Sequence, residues 1–182
     1  MEVIGIVSSP RRNGNTDKLV QSALDGASSA GHKTRKINLN DLNFKGCQAC
    51  NYCRVNDGCK QKDDLIGVLD AIRNADAVVF GVPIYMGQLN GEFRLFEDRM
   101  FSFIDASFHS RLKPGKKAII ITSQGNGDAK AFEQPSDDLA KILAMSGFKV
   151  TDIIRMSNGN SPSAIDDRKE LLDMARSAGI GL

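Results

Sequence analysis

The chain has 182 residues, 41% of them hydrophobic and 25% charged, which suits one globular domain spanning residues 1–182 around one hydrophobic core. Its 24 basic and 22 acidic residues are mixed along the sequence and leave a formal charge of +2, so we expect neither a nucleic acid nor a membrane surface as a partner. No run approaches the roughly 18 apolar residues of a membrane span, and no basic segment precedes the first apolar run as it would in a secretory signal, so we expect a cytoplasmic protein.

The first third of the chain predicts a strand, a helix and a second strand. The strand Val3 to Val7 runs into the polar turn SSPRRNGNT. Apolar residues at helical spacing then mark a helix that Gly31 ends, namely Leu19, Val20, Ala23, Leu24 and Ala27. Thr34 to Leu39 alternate as a second strand, which leads into a cysteine-rich loop over residues 45–62.

The rest of the chain continues this alternation. Asp63 and Asp64 are expected to cap a helix, and the apolar run DAVVFGVPIY that follows is typical of a strand buried on both faces, as in a parallel sheet. A helix after PIYMGQLNG, the strand KAIIITS, a further helix, the strand FKVTDIIR and a helix over residues 164–178 complete the pattern. Five strands alternating with five helices predict a doubly wound parallel sheet, whereas residues 102–115 fit no element.

The polar turn after the first strand is the first candidate for a ligand site, because ligands of open α/β sheets bind at the carboxyl ends of the strands. Residues 8–16 offer hydroxyl, amide and guanidinium donors and a glycine in front of a helix, which suits a phosphate. Neither the glycine-lysine pattern of NTP-binding loops nor the G-x-G-x-x-G of dinucleotide sites occurs in this turn, so a terminal monophosphate fits best. The alternative is a plain helix capped by Asn15 or Thr16.

Two motifs in the right order resemble the flavodoxin-like NADPH-dependent FMN reductase superfamily, namely the turn SSPRRNGNT and the segment PIYMG, although Ser8 stands where the family's first motif has glycine. The resemblance implies a three-layer α/β/α fold with a five-stranded parallel sheet in the order 2-1-3-4-5, FMN as the cofactor and NAD(P)H as a donor. Tyr85 and Met86 would offer a flat and a polarisable surface to the flavin ring, whereas Tyr85 by itself would be interpreted as a buried structural residue. Together with the loop after the fourth strand, the FMN-binding segments are predicted to contain Ser9, Arg11, Asn13, Gly14, Asn15, Thr16, Pro83, Ile84, Tyr85, Met86, Gly87, Ser123, Gln124, Gly125, Asn126 and Gly127.

All of the cysteines lie in one short run with the spacing C-x2-C-x2-C-x5-C. A reducing cytosol disfavours structural disulfides, and the spacing does not match the two separated C-x2-C pairs common in zinc sites. Compact runs of this kind can wrap an iron-sulfur cubane, while packed free cysteines, zinc or a redox-active pair remain alternatives. Together with the FMN motifs, the run resembles the iron-sulfur flavoprotein family, which implies a [4Fe-4S] cluster near FMN with the ligands Cys47, Cys50, Cys53 and Cys59.

These resemblances imply an FMN-dependent oxidoreductase that passes electrons from ferredoxin or NAD(P)H through FMN to a small acceptor such as a quinone. A cluster-free NAD(P)H-dependent FMN or quinone reductase and a non-enzymatic flavodoxin-like electron carrier remain alternatives. Hydride transfer to a flavin requires alignment rather than a side-chain acid or base, so we predict no catalytic residue. Because an exposed cluster loop would need cover, we also expect a homodimer or homotetramer, with apolar contacts from Phe101, Phe103 and Phe108.

Overall fold

The computed structural model describes residues 1–182 as a parallel sheet between two layers of helices. The strands are β1 (Glu2–Val7), β2 (Lys33–Asn38), β3 (Ala77–Tyr85), β4 (Gln88–Leu89), β5 (Lys117–Ser123) and β6 (Lys149–Met156). The helices are α1 (Asn15–Ser29), α2 (Tyr52–Val55), α3 (Leu65–Asn74), α4 (Gly91–Arg99), α5 (Gln134–Met145) and α6 (Lys169–Ile180). Short 3₁₀ turns lie at Leu39–Asp41, Met100–Phe103 and Ala164–Asp167. None of the helices combines the length and the apolar composition needed to cross a bilayer.

The five long strands are parallel and lie in the order β2-β1-β3-β5-β6. When the short β4 is left out of the count, this is the predicted order 2-1-3-4-5, and the predicted doubly wound fold is confirmed. Because all five strands point the same way, their carboxyl ends meet at one edge of the sheet. The strand order reverses between β1 and β3, which is where ligands of such sheets bind.

Two hydrophobic clusters, one on each face of the sheet, hold the helices against it. The larger cluster packs α3, α4 and α5 through aromatic rings. Phe80 of β3 meets Phe93 and Phe148 edge to face, at centroid distances of 6.1 and 5.8 Å. The smaller cluster packs α1 and α6 on the opposite face. Cover on both faces explains why β3 and β5 are apolar along almost their whole length.

A tight hairpin at the end of β3 is the main departure from the predicted elements. Tyr85 pairs with Gln88 of β4 across a two-residue turn formed by Met86 and Gly87. Both turn residues have positive φ angles, 50° and 76°, as a type I′ turn requires. The predicted loop PIYMGQLNG is therefore a rigid hairpin that projects from the ligand-binding edge of the sheet.

The start of α3 also differs in detail from the prediction. Asp64 is the N-cap residue, but its side chain makes no cap hydrogen bond with the helix. Its Oδ2 instead accepts a hydrogen bond from the backbone N–H of Asn43, at 2.8 Å. The neighbouring Asp63 pairs with Arg99 of α4. Both carboxylates thus contact segments distant in sequence, which local capping rules do not consider.

Candidate functional site

The first candidate site lies where β1 leads into α1. Gly14 is the N-cap of this 15-residue helix, and its N–H donates to the carbonyl of Arg11 at 3.1 Å, which closes the turn. The backbone N–H groups of Asn15 and Thr16 follow in the first turn and donate to no acceptor in the protein. Neither side chain caps the helix, so the alternative of a plain capped helix does not describe this turn. Free amides at the positive end of a helix dipole form a site for an anion such as phosphate.

A cavity of about 130 Å³ opens beside these amides, at the carboxyl ends of β1, β3 and β5. Its lining includes ten of the residues predicted from sequence, namely Ser9, Arg11, Asn15, Thr16, Pro83, Ile84, Tyr85, Ser123, Gln124 and Gly125. The structure adds two more, Gly159 and Asn160. Six predicted residues lie in the same segments but outside this lining, namely Asn13, Gly14, Met86, Gly87, Asn126 and Gly127.

The two added residues come from the loop after β6, which sequence reasoning missed. The side chain of Asn15 holds this loop, because its amide donates to the carbonyls of Gly159 and Ser161 at 3.0 and 2.8 Å. Its oxygen accepts from the N–H of Ile165 at 3.0 Å. The side-chain amide of Asn15, predicted as a phosphate donor, is therefore engaged within the protein, and its free group is the backbone N–H. The polar run SNGNSPS directly after a strand was the signal that could have located this loop.

Buried polar groups form the inner wall of this cavity. The hydroxyl oxygens of Thr16 and Ser123 lie 2.6 Å apart, and both residues are buried. The side-chain N–H₂ of Gln124 donates to two carbonyls of the following loop, at 3.1 and 3.3 Å, whereas its Oε1 is buried without a partner. Leaving a buried acceptor unpaired costs about 1–3 kcal/mol, so this oxygen suits a ligand that carries an N–H group. Arg11 supplies the one positive charge of the lining.

The β3–β4 hairpin flanks the same cavity. Pro83, Ile84 and Tyr85 line it, and Tyr85 is 45% exposed, so the interpretation of this tyrosine as a buried structural residue is wrong. Met86 at the tip of the hairpin is fully exposed. An apolar strand end beside a polar cavity is the combination expected for a ligand with an aromatic ring and a charged tail.

The second candidate site is a cavity of about 400 Å³ between the cysteine-rich loop, α4 and α5. All four cysteines line it; Cys47 and Cys50 are exposed, whereas Cys53 and Cys59 are half-buried. Burial, and after it the neighbouring thiols, raise the pKa of Cys53. No group of three or more His, Cys, Asp or Glu side chains in the structure is arranged to hold a metal ion. The loop therefore brings the sulfurs to one cavity without converging them on a point.

The helix wall of this cavity carries buried polar atoms without hydrogen-bond partners. They are the Oε1 of Glu97, the Nε of Arg99 and the Oγ of Ser102. Burial raises the pKa of Glu97, and the partly exposed Arg94 opposes this effect only in part. Buried polar atoms are rarely left unpaired, so the wall fits a charged or hydrogen-bonding occupant.

Residues 100–111, which lie mostly in the segment that fits no predicted element, brace the cysteine loop. The guanidinium of Arg54 stacks on the rings of Phe101 and Phe108, 4.8 and 4.7 Å from their centroids. Arg111 donates a hydrogen bond to the carbonyl of Cys53 at 2.6 Å. The position of the loop is thus fixed by contacts between residues that are distant in sequence; Arg111 and Cys53, for example, are 58 positions apart.

The two cavities have no lining residue in common. The first lies at the edge of the sheet, and the second lies against the helices of the larger hydrophobic cluster. Two occupants would therefore be held by separate sets of side chains. A substitution in one cavity leaves the lining of the other unchanged, which allows the two sites to be tested independently.

The doubly wound sheet, the anion site at the start of α1 and the exposed hairpin define a flavodoxin-like nucleotide-binding protein. Residues 1–154 match the family described as NADPH-dependent FMN reductase, and the chain belongs to this family. It is therefore an FMN-dependent oxidoreductase, and the predicted family and enzyme class are confirmed.

Individual relatives agree with this assignment. An iron-sulfur flavoprotein of Methanocaldococcus jannaschii is 32% identical over 134 residues, which cover 74% of this chain and 69% of the relative. An FMN-dependent NADH:quinone oxidoreductase of Nostoc punctiforme is 34% identical over 122 residues, which cover 61% of this chain and 58% of the relative. Among solved structures, a flavone reductase matches 99% of this chain and 61% of its own, with a TM-score of 0.76 and 21% identity, which confirms the fold.

Proposed function

We propose that this protein binds FMN at the start of α1 and a [4Fe-4S] cluster at Cys47, Cys50, Cys53 and Cys59, and that it moves electrons from NAD(P)H or ferredoxin to a small acceptor. The observation that carries the cluster is that all four cysteines line one cavity whose opposite wall holds unpartnered polar atoms. The Methanocaldococcus relative, which is named an iron-sulfur flavoprotein, supports the same proposal.

The flavin site is built by backbone groups and short polar side chains. The free N–H groups of Asn15 and Thr16 would bind the phosphate, and Arg11 would add a positive charge nearby. The edge of the β3–β4 hairpin would orient the ring, and the unpartnered Oε1 of Gln124 would accept a hydrogen bond from an N–H group of the ligand. These groups hold and align the cofactor in a cavity that is partly shielded from water.

The lining of the flavin cavity offers neither a carboxylate nor an imidazole as an acid or a base. The lining contains no aspartate, glutamate or histidine. Bound FMN itself supplies the exchange between two-electron and one-electron carriers. The proposed contribution of the protein to hydride transfer is alignment and electrostatics.

The cluster is tested by anaerobic reconstitution followed by iron and acid-labile sulfide assays. About four iron and four sulfide per chain are expected, with loss of the iron in a Cys59→Ser variant that still binds FMN. Fewer than one iron per chain would refute the cluster. Because the cavities share no lining residue, FMN binding by the same samples reports separately on the flavin site.

The donor is tested by mixing the flavin-loaded protein with NADH or NADPH without air. Rapid loss of the flavin absorbance is expected if a nicotinamide is the donor. If neither nicotinamide reacts while reduced ferredoxin does, ferredoxin is the donor. Reduction by neither would contradict both parts of the proposal and would favour a carrier served by another protein.

A cluster-free NAD(P)H:quinone reductase is the second candidate. It is favoured by the absence of a side-chain group already arranged to hold a metal ion. The Nostoc relative, which is named an FMN-dependent NADH:quinone oxidoreductase, also favours it. Quinone reduction at an undiminished rate by a protein without iron would establish this alternative.

Association into a homodimer or homotetramer remains a proposal. Phe103 is fully buried in its own chain, so the predicted contribution of this residue to an interface is wrong. Phe101 and Phe108 keep exposed surface although both contact Arg54. Light scattering at micromolar concentration is expected to show more than one chain per particle, and a monomer would refute the proposal.

A further inference from the structure

The buried charge at the end of α4 belongs to Arg99, whose side chain is 0% exposed. Its guanidinium donates to both carboxylate oxygens of Asp63, at 2.8 and 3.1 Å. It also donates to the carbonyl oxygen of Lys45, at 2.7 Å. A buried arginine is tolerated only when it is paired in this way, because an unpaired buried charge is strongly destabilising.

The partners of Arg99 are the residues at the two ends of the cysteine-rich loop. Lys45 begins this loop, and Asp63 follows its last residue. The two ends are also joined directly, since the N–H of Lys45 donates to Asp63 at 3.3 Å, and one step further out Asn43 donates to Asp64 at 2.8 Å. The buried guanidinium of Arg99 therefore joins the two ends of the loop through its own contacts with Lys45 and Asp63.

One donor of this guanidinium is left over. The Nε of Arg99 is buried and has no hydrogen-bond partner, and it lines the same cavity as Cys59. Cys59 is the cysteine that packs against the larger hydrophobic cluster, on the inner side of the cavity.

We propose that Arg99 is a positioning residue for the cysteine site: its guanidinium fork, which donates to Asp63 and Lys45, fixes the two ends of the loop and leaves its Nε–H for an occupant of the cavity that Cys59 also lines. The structural part stands on the contacts of Arg99 alone. The electrochemical part rests on the proposed cluster: a fixed positive charge beside it favours the reduced state, which is more negative by one charge, and so raises the reduction potential.

The variants Arg99→Gln and Arg99→Lys separate the two roles. Glutamine removes both the charge and the paired hydrogen bonds to the Asp63 carboxylate, whereas lysine keeps the charge but cannot form that pair of hydrogen bonds. Arg94→Gln is the matched control, because Arg94 lies on the same helix and lines the same cavity, but its side chain is 51% exposed and contacts neither end of the loop. Iron content, the reduction potential from an EPR-monitored titration, and amide hydrogen exchange over residues 45–62 are measured for each protein.

The expected results differ between the variants. In R99Q the equilibrium between reduced and oxidised cluster shifts at least tenfold toward the oxidised form, which is a fall of about 59 mV for one electron. In R99K and R94Q it shifts less than threefold. Within residues 45–62, the hydrogen-bonded amides of Lys45, Arg54 and Asn56 exchange at least tenfold faster in R99Q and R99K, while those of β5 and of the R94Q loop exchange as in the wild type.

Two results would overturn the inference, namely a cluster in R99Q with the wild-type potential, or loop exchange in R99Q equal to that of R94Q. If R99Q does not fold, the exchange measurement is made on Asp63→Asn, which weakens the same hydrogen bonds between residue 63 and Arg99. A wild-type protein that binds no iron refutes the proposed cluster and the electrochemical part together. Exchange in the same iron-free samples still decides whether Arg99 closes the loop, so the two failures are distinguishable.

Discussion

Removal of one hydroxyl group tests whether the start of α1 binds the phosphate of FMN. Thr16→Val keeps the shape of the side chain and deletes the oxygen that lies 2.6 Å from the hydroxyl of Ser123. Thr16 is 2% exposed, so no water replaces the lost group. A hydrogen bond to a charged group contributes about 1.5–3 kcal/mol, and each 1.4 kcal/mol is about tenfold in affinity. FMN affinity is therefore expected to fall by about tenfold to a hundredfold.

Fluorescence titration with FMN and with riboflavin measures this effect. Riboflavin has the same ring but no phosphate, so its affinity for the variant is expected to change by less than about threefold, within the scatter of a substitution that leaves the ring contacts in place. Ser29→Ala, which removes a hydroxyl at the other end of α1, is the control and should bind both ligands as the wild type does. An equal loss for FMN and riboflavin, or no loss for FMN, would refute the phosphate contact expected of the Thr16 hydroxyl.

Three further substitutions test other parts of the structure. In Gly125→Ala the new Cβ would overlap Oδ1 of Asn160, whose Nδ2 donates to the carbonyl oxygen of Gly125 at 3.0 Å. FMN affinity should fall about fivefold or more by titration, since loss of that hydrogen bond alone costs about 1 kcal/mol. In Gly179→Ala the Cβ would lie 1.8 Å from a backbone oxygen of α1, so urea denaturation should show that the unfolding free energy falls by about 1–3 kcal/mol. The control Gly67→Ala places its Cβ in open space within α3 and should be neutral or stabilising. Burial raises the pKa of Glu97 above its unfolded value of 4.5. The unfolding free energy of the wild type relative to Glu97→Gln should therefore be greatest below pH 4.5. It should fall by up to about 1.4 kcal/mol per pH unit as the pH rises from 4.5 through the folded pKa.

Each of these expectations has an outcome that would contradict it. Unchanged FMN binding in the Gly125 variant would mean that Asn160 does not shape the cavity. Equal destabilisation by the Gly179 and Gly67 substitutions would mean that close helix packing is not the cause. A wild-type stability that rises relative to the Glu97 variant between pH 4.5 and pH 7 would mean that this carboxyl group is stabilised in its charged form.

The sheet and its order could be predicted because each long element carries its own periodic signal. The continuous apolar run of β3 and the helical spacing in α1 are local patterns. The rule that ligands bind at the carboxyl ends of strands located the first loop of the polar cavity, and the family resemblance added the loops after β3 and β5. The β3–β4 hairpin was missed because its second strand has two residues, too few for a pattern. Met86 also gives no local sign of a positive φ angle, which glycine or asparagine would have given.

The rest of the site depends on contacts between residues distant in sequence, which no local pattern reports. The sequence suggested that the side chain of Asn15 would bind a phosphate. In the structure this side chain instead donates a hydrogen bond to the carbonyl of Gly159, which is 144 residues away. The two ends of the cysteine-rich loop are likewise joined by Arg99, which is one of three arginines in the last turn of a helix. The spacing of the cysteines predicts a shared site, and the structure brings all four of them to one cavity.

The most direct test of the central claim is the amide spectrum of isotope-labelled protein during titration with FMN and, separately, with riboflavin. The N–H groups of Asn15 and Thr16 have no acceptor in the protein, so FMN should shift their resonances strongly as the phosphate accepts from them, and riboflavin should not. Resonances of these two amides that stay in place at saturating FMN would contradict the claim that the start of α1 holds the cofactor.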